Sequence, residues 1–155
     1  MGLPDALRQS RSGAPSHCLP NVTEIRMSKK VAEVIVETLQ SAGVQHCYGI
    51  VGDTLNTFAT SLNRSDIKFV HMRHEEAGAY AAQSEALLMD RLTAMAGSCG
   101  PGSLHFINGL YEANRNRAPV ILIASQVVRR ELGFNFIQEV NKIKSKLAPH
   151  HLARD

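Results

Sequence analysis

The sequence contains no tryptophan, and aromatic residues make up only 5% of its 155 positions. Binding of nucleic acid calls for a basic stripe interleaved with aromatics that stack on bases. Lys and Arg number 17 against 14 Asp and Glu, a net charge of +3 with no such stripe, so nucleic acid is not an expected partner. Cysteine is scarce as well. Cys18, Cys47 and Cys99 are odd in number and widely spaced. They form neither a disulfide framework nor a C-x-x-C zinc site and suit a reducing, cytoplasmic compartment. Long apolar runs are missing too: none approaches the roughly 20 residues of a transmembrane helix. What is present, 44% hydrophobic and 20% charged residues, is the composition of one ordinary globular domain.

Residues 1–27 differ from the rest. Pro4, Pro15 and Pro20 punctuate a polar stretch with no apolar h-region, which excludes a secretory signal. Arg and Ser are in keeping with a transit peptide, but Asp5 and Glu24 argue against one. The stretch is expected to be a disordered or extraneous tail upstream of a start at Met27. At the other end, after Ser125 the pattern decays, and 141–155 is expected to be a frayed or divergent end.

Between these ends helical and strand periods alternate. Ser28 is a candidate N-cap for a helix carrying Val31, Val34, Ile35, Leu39 and Ala42, with Gly43 at its C′ position. Val44 to Ile50 reads as a strand. Asp53 is a candidate cap for a helix with Leu55, Phe58, Ala59 and Leu62 on one face. Ile67–Met72 reads as a strand, Glu75–Met89 as an Ala-rich, mostly buried helix, and Leu92–Ala96 as a strand. Then come a glycine-rich turn over Gly97–Gly102, a helix over Ser103–Asn114 and an apolar strand over Pro119–Ala124. Alternation with apolar strands predicts a three-layer, doubly wound α/β domain over 28–140, its mostly parallel sheet covered by helices on both faces.

In such sheets ligands bind beyond the carboxyl ends of the strands. Three turns fall there: Gly49 to Thr54, Arg73 to Glu76 and Gly97 to Gly102. The run R-H-E-E is not a zincin motif, because H-E-x-x-H puts a second His where Gly78 stands. A metal-dependent hydrolase built on His71, His74 and Glu75 falls short in ligand count, so no metal is assigned. Glu75 and Glu76 can simply favour the positive end of a helix; the sharper reading is a buried carboxylate tuned for proton transfer. G-I-V-G-D lacks the third glycine of a dinucleotide fingerprint, and G-S-C-G-P-G-S lacks a Walker lysine. Either turn can still present N–H groups or admit a flat ligand. Cys99 has no evident His or Asn partner and reads as a packed thiol.

Four stretches taken together are more specific: A-G-V-Q-H-C-Y-G-I-V-G-D-T-L-N, R-H-E-E-A-G-A-Y-A-A, G-S-C-G-P-G-S-L-H-F-I-N-G-L-Y-E-A and A-P-V-I-L-I-A. In order and spacing, the segment from Lys29 to about Val140 resembles the N-terminal, pyrimidine-binding domain of thiamine diphosphate enzymes, the pyruvate oxidase and quinone-linked pyruvate dehydrogenase branch in particular. The resemblance implies that Glu75 hydrogen-bonds N1′ of the aminopyrimidine, promoting loss of the thiazolium C2 proton and attack on a 2-oxo acid such as pyruvate. It implies cofactor contacts from Gly49, Gly52, Asp53, His74, Glu75, Ser98, Gly100, Pro101, Gly102 and Asn108. In that family the site forms between the pyrimidine domain of one subunit and the diphosphate domain of another. The implied partner is thus a second copy or a chain carrying the diphosphate domain. The G-D-G…N-N pattern that holds Mg and diphosphate has no counterpart here, nor has an FAD domain or a membrane-binding tail. Only the pyrimidine end of thiamine diphosphate is expected to be served by this chain, with Mg and FAD on other domains. A truncated or single-domain protein is expected, with a catalytically inactive, dimerising remnant as the alternative.

Overall fold

A computed structural model describes residues 28–140; the expectations for 1–27 and 141–155, and Cys18, lie outside the described residues. Helix α1 (Val31–Ser41) leads into β1 (His46–Ile50), a 3-10 turn (Asp53–Leu55) and α2 (Asn56–Leu62). Strand β2 (Lys68–His71), α3 (Glu75–Met89) and β3 (Thr93–Gly97) follow. The chain continues with α4 (Pro101–Leu104), α5 (Ile107–Arg115), β4 (Val120–Ala124) and a 3-10 turn (Arg129–Glu131). All strands pair in parallel in the order β2-β1-β3-β4.

That order reverses between β1 and β3. Right-handed crossovers leaving β1 in one direction and returning from β2 in the other put α2 and α3 on opposite faces. The core divides accordingly. Val36 and Leu39 of α1, with Leu55, Phe58 and Leu62 around α2, pack on Cys47, Ala94 and Ala96. Ala79 and Ala82 of α3, with Phe106 and Leu110, pack on Met95, Tyr48, Val120 and Leu122. The alternation Ala94, Met95, Ala96 follows the two-residue period of a strand covered on both sides, and every residue of β3 is buried. The three-layer α/β reading therefore holds.

Several boundaries move for physical reasons. Lys30, not Ser28, precedes the first helical residue, and its N–H is held by the Glu33 carboxylate at 3.0 Å. The buried stripe of α1 is Ala32, Ile35, Val36 and Leu39, leaving Val31 and Val34 facing solvent. Asp53 is the first residue of a 3-10 turn whose cap is Gly52, so it makes no cap for α2. Helix α3 has the expected bounds, but only its Glu75, Gly78, Ala79, Ala82, Gln83 and Ala86 side is buried. The helix expected over Ser103–Asn114 starts early, with Pro101 in its first turn, and breaks at His105 and Phe106. There Ser103 Oγ donates back to the Ser98 carbonyl at 2.5 Å, and the Phe106 ring is wholly buried against Gly78 and Gly97. Anchoring the ring inward turns its neighbour His105 outward.

Helices α3 and α5 cross at Gly109, where any Cβ would overlap Ala79. At the amino ends of the strands, Glu85 of α3 ties the layers together. His46 Nδ1 lies 2.9 Å and the Tyr48 hydroxyl 2.7 Å from its carboxylate, and the Arg91 guanidinium completes the set. Burial works against the Glu85 charge, but the hydrogen bonds from His46, Tyr48 and Arg91 outweigh it and lower its pKa from 4.5 to about 2. Burial and its bond to Glu85 push the Tyr48 phenol up to about 12. Burial pushes the Cys47 thiol up to about 12, leaving it inert.

Two outcomes follow from this packing. Gly109→Val is expected to lower folding stability by about 2–3 kcal/mol through overpacking, read from the urea midpoint; an unchanged midpoint would mean the crossing is loose. A carboxyl whose folded pKa lies below its unfolded one stabilises above the unfolded value and loses that contribution as pH falls. For Glu85 the window runs from 4.5 down to about 2. The thermal midpoint of Glu85→Gln should therefore change less across that window than the parent's, and parallel profiles would refute the role given to Glu85.

Candidate functional site

The carboxyl ends of β1, β2 and β3 deliver their turns to one edge, as the parallel sheet requires. Two clusters form there and meet at Gly102. The first is built from hydroxyls. Thr54 Oγ1 lies 2.6 Å from Ser125 Oγ and 3.2 Å from Ser98 Oγ, and it accepts the Cys99 N–H at 2.9 Å. Ser125 Oγ donates to the Gly97 carbonyl at 3.0 Å, and Ser103 Oγ donates to the carbonyls of Gly97 and Ser98. Thr54 thereby pins the turn after β1 to those after β3 and β4. Gly52 lies so close that a Cβ there would come within 2.7 Å of Ser98 Oγ. Gly49 is a buried strand residue whose missing side chain lets β1 close on the Ala96 backbone of β3.

The second cluster surrounds Glu75. His74, extended at the N-cap of α3, accepts the Glu76 N–H on Nδ1 at 3.3 Å. Glu75 is the first residue of α3 and only 8% exposed. Its Oε2 lies 3.0 Å from His105 Nδ1, while Oε1 faces Gly102, where a Cβ would come within 3.1 Å. The His74 and His105 rings stack with centroids 4.7 Å apart and planes 22° apart. Glu76 turns aside and accepts from Asn108 Nδ2 at 2.8 Å.

Of the residues singled out in the sequence, the structure gathers Gly52, Ser98, Gly102, His74 and Glu75 around one spot. Gly100 lies next to them in a left-handed conformation (φ 70°), pressed against Gln138. Asp53 and Pro101 are exposed, with no side-chain hydrogen bond to the rest among the described residues. Asn108 reaches the cluster only through Glu76. Cys99 is 2% exposed, its Sγ 3.8 Å from Gln138 Oε1, a packed thiol as expected. Sequence reasoning missed His105, Thr54, Ser125 and Gln138. Thr54 and Ser125 are 71 positions apart, and no local spacing announces such a pair.

Residues 29–145 match the family described as thiamine pyrophosphate enzyme, N-terminal TPP binding domain. The chain belongs to this family. It is 50% identical over 113 residues to an uncharacterized 42.6 kDa protein in the isoamylase 3′ region of Pseudomonas amyloderamosa, covering 72% of this chain and 28% of that protein. It is 36% identical over 110 residues to a pyruvate oxidase of Lactiplantibacillus plantarum, covering 70% and 18%. It is 30% identical over 114 residues to human 2-hydroxyacyl-CoA lyase 1, covering 74% and 20%. The chain thus spans between 18% and 28% of the length of these relatives. No described helix is long and apolar enough to cross a membrane.

One Glu75 carboxylate oxygen is held by His105; the other lies beside Gly102 and has no side-chain partner among the described residues. The hydroxyl cluster has its own test. Thr54→Val leaves the Cys99 N–H without its acceptor and the Ser98 hydroxyl without its partner, while Ser125 keeps only the Gly97 carbonyl, at an expected cost of about 1–3 kcal/mol. Denaturant unfolding should show that loss, and Thr54→Ser should restore most of it.

Proposed function

We propose that this domain supplies the aminopyrimidine-activating half of a thiamine diphosphate site that cleaves 2-oxo acids such as pyruvate. The observation that carries the reading is the buried Glu75 carboxylate, with one oxygen tethered to His105 and the other, beside Gly102, without a side-chain partner among the described residues. A carboxylate so placed can exchange a proton with a ring nitrogen while the tether keeps it from turning away. When bound, thiamine diphosphate supplies the carbon nucleophile that attacks beside the carboxylate of the 2-oxo acid.

The chain's own residues would then divide the work. Glu75 Oε1 holds the proton shared with N1′ of the pyrimidine. His105 fixes Oε2, and His74 caps α3 so that Glu75 stays at its first turn. Gly102 lets the turn after β3 come close to Glu75 Oε1, and Gly49, Gly52, Ser98, Gly100 and Pro101 shape the turns around it. Thr54 keeps those turns in register. The diphosphate and its Mg belong to a domain supplied by a second copy or a partner chain, as does any FAD. The relatives include a pyruvate oxidase, whose name carries a 2-oxo acid, and a 2-hydroxyacyl-CoA lyase.

The test is complementation. The chain is added to a pyruvate oxidase from which the first domain has been removed, and consumption of pyruvate is followed. The parent chain should restore turnover, and Glu75→Gln should lower it by roughly 100-fold or more, as expected for loss of a positioned proton-transfer group. Equal rates from the two would overturn the proposal, and absence of rescue by either would favour the inactive, dimerising remnant.

A further inference from the structure

Counted along the sequence, the R-H-E-E run lacks a second imidazole on its own helix. The fold supplies one from another element. His105, exposed at the break between α4 and α5, stacks on His74 and pairs with Glu75. One ligating atom from each of His74, Glu75 and His105 lies within 4.8 Å of the other two. His71 stands at the end of β2, outside this group.

We propose that His74, Glu75 and His105 form a binding site for a single transition-metal cation of the zinc class. Two nitrogens and one carboxylate oxygen are the donor set that borderline cations such as Zn²⁺ and Co²⁺ prefer over the all-oxygen sets of Mg²⁺ and Ca²⁺. Ligands about 2.0–2.1 Å from a tetrahedral ion stand about 3.3 Å from each other. His105 Nδ1 and Glu75 Oε2 are already 3.0 Å apart, so the ion takes the place of the proton between them. His74 is exposed and reaches the ion by a change of side-chain rotamer, giving up its 3.3 Å contact with the Glu76 N–H. It is therefore the weakest of the three ligands. The buried carboxylate offsets one of the ion's two charges. Both imidazoles are exposed, so the fourth position is open to water, as in three-ligand sites generally. The site stands whether or not the chain serves thiamine diphosphate. If it does, the ion and the cofactor compete for Glu75.

The test uses the full chain with His150 and His151 replaced by alanine, so that this adjacent pair does not take up metal. Zn²⁺ is titrated calorimetrically and Co²⁺ by visible absorption. One equivalent should bind with micromolar affinity and give the intense Co²⁺ bands of a four-coordinate site. Glu75→Gln and His105→Ala should each weaken binding well beyond tenfold, and His74→Ala by roughly tenfold; even outer residues of metal sites cost about 10–100-fold. His71→Ala should change nothing. Because His74 and His105 are exposed, their variants fold whether or not Glu75→Gln does, and far-UV circular dichroism confirms it. No saturable binding at millimolar metal, or equal affinity in all the variants, would overturn the proposal.

Discussion

The geometry rests on one constraint: β1 lies between β2 and β3, so α3 must cross β1 on its way from one neighbour to the other. Right-handed connection of parallel strands leaves no other economical path. The crossing sets the first residue of α3 above the gap where strand order reverses, and that residue is Glu75. Close approach of β1 and β3 at Gly49 makes the gap shallow enough for the turn after β3 to reach the same carboxylate. Because the crossover brings α3 over the reversal, the side chain at position 75 decides the chemistry offered there.

Much of this was legible in the sequence, and the limit falls at a definite physical boundary. Local signals succeeded wherever the controlling interaction is itself local. Gly43 ends α1 with a positive φ of 84°, α3 runs over its expected span, and β1 through β4 fall where apolar runs stood. Parallel orientation and same-edge turns followed from alternation, while the strand order did not. The misreadings have a common origin. Val31 and Val34 have the right spacing for a buried face, but the stripe that meets the sheet is offset by a residue, and only packing against α2 decides that. The split of the helix after Gly102 depends on Ser103 and Phe106 finding partners in β3 and α3.

At the site the same boundary separates Glu75 from His105. Glu75 carries a sequence signal because its neighbours in the chain form its helix start. His105 carries none, because its partner is 30 positions away and the two meet only once Phe106 is buried. The isolated run R-H-E-E supports a helix N-terminus as readily as a working carboxylate. Geometry adds the tether from His105 and an Oε1 beside Gly102 with no side-chain partner among the described residues, which the chain spacing alone does not show.

The two ends of β1 show how the domain separates stability from chemistry. At its amino end Glu85 receives hydrogen bonds from His46, Tyr48 and Arg91, and those bonds more than offset the penalty of burial. Such a saturated carboxylate has no remaining capacity for a ligand. At its carboxyl end, Glu75 is buried to a similar degree but has a single side-chain partner. A carboxylate accepts several hydrogen bonds, so one with a single side-chain partner among the described residues is short of protein donors. The deficit is local, because Thr54, Ser98 and Ser125 fully connect the adjoining turns. Rigid surroundings around an under-coordinated acid are what preorganisation requires: the framework is fixed before a ligand arrives, and the ligand completes the coordination. The contrast between Glu85 and Glu75 therefore separates the acid that holds the fold from the acid that serves a ligand, on hydrogen bonding alone.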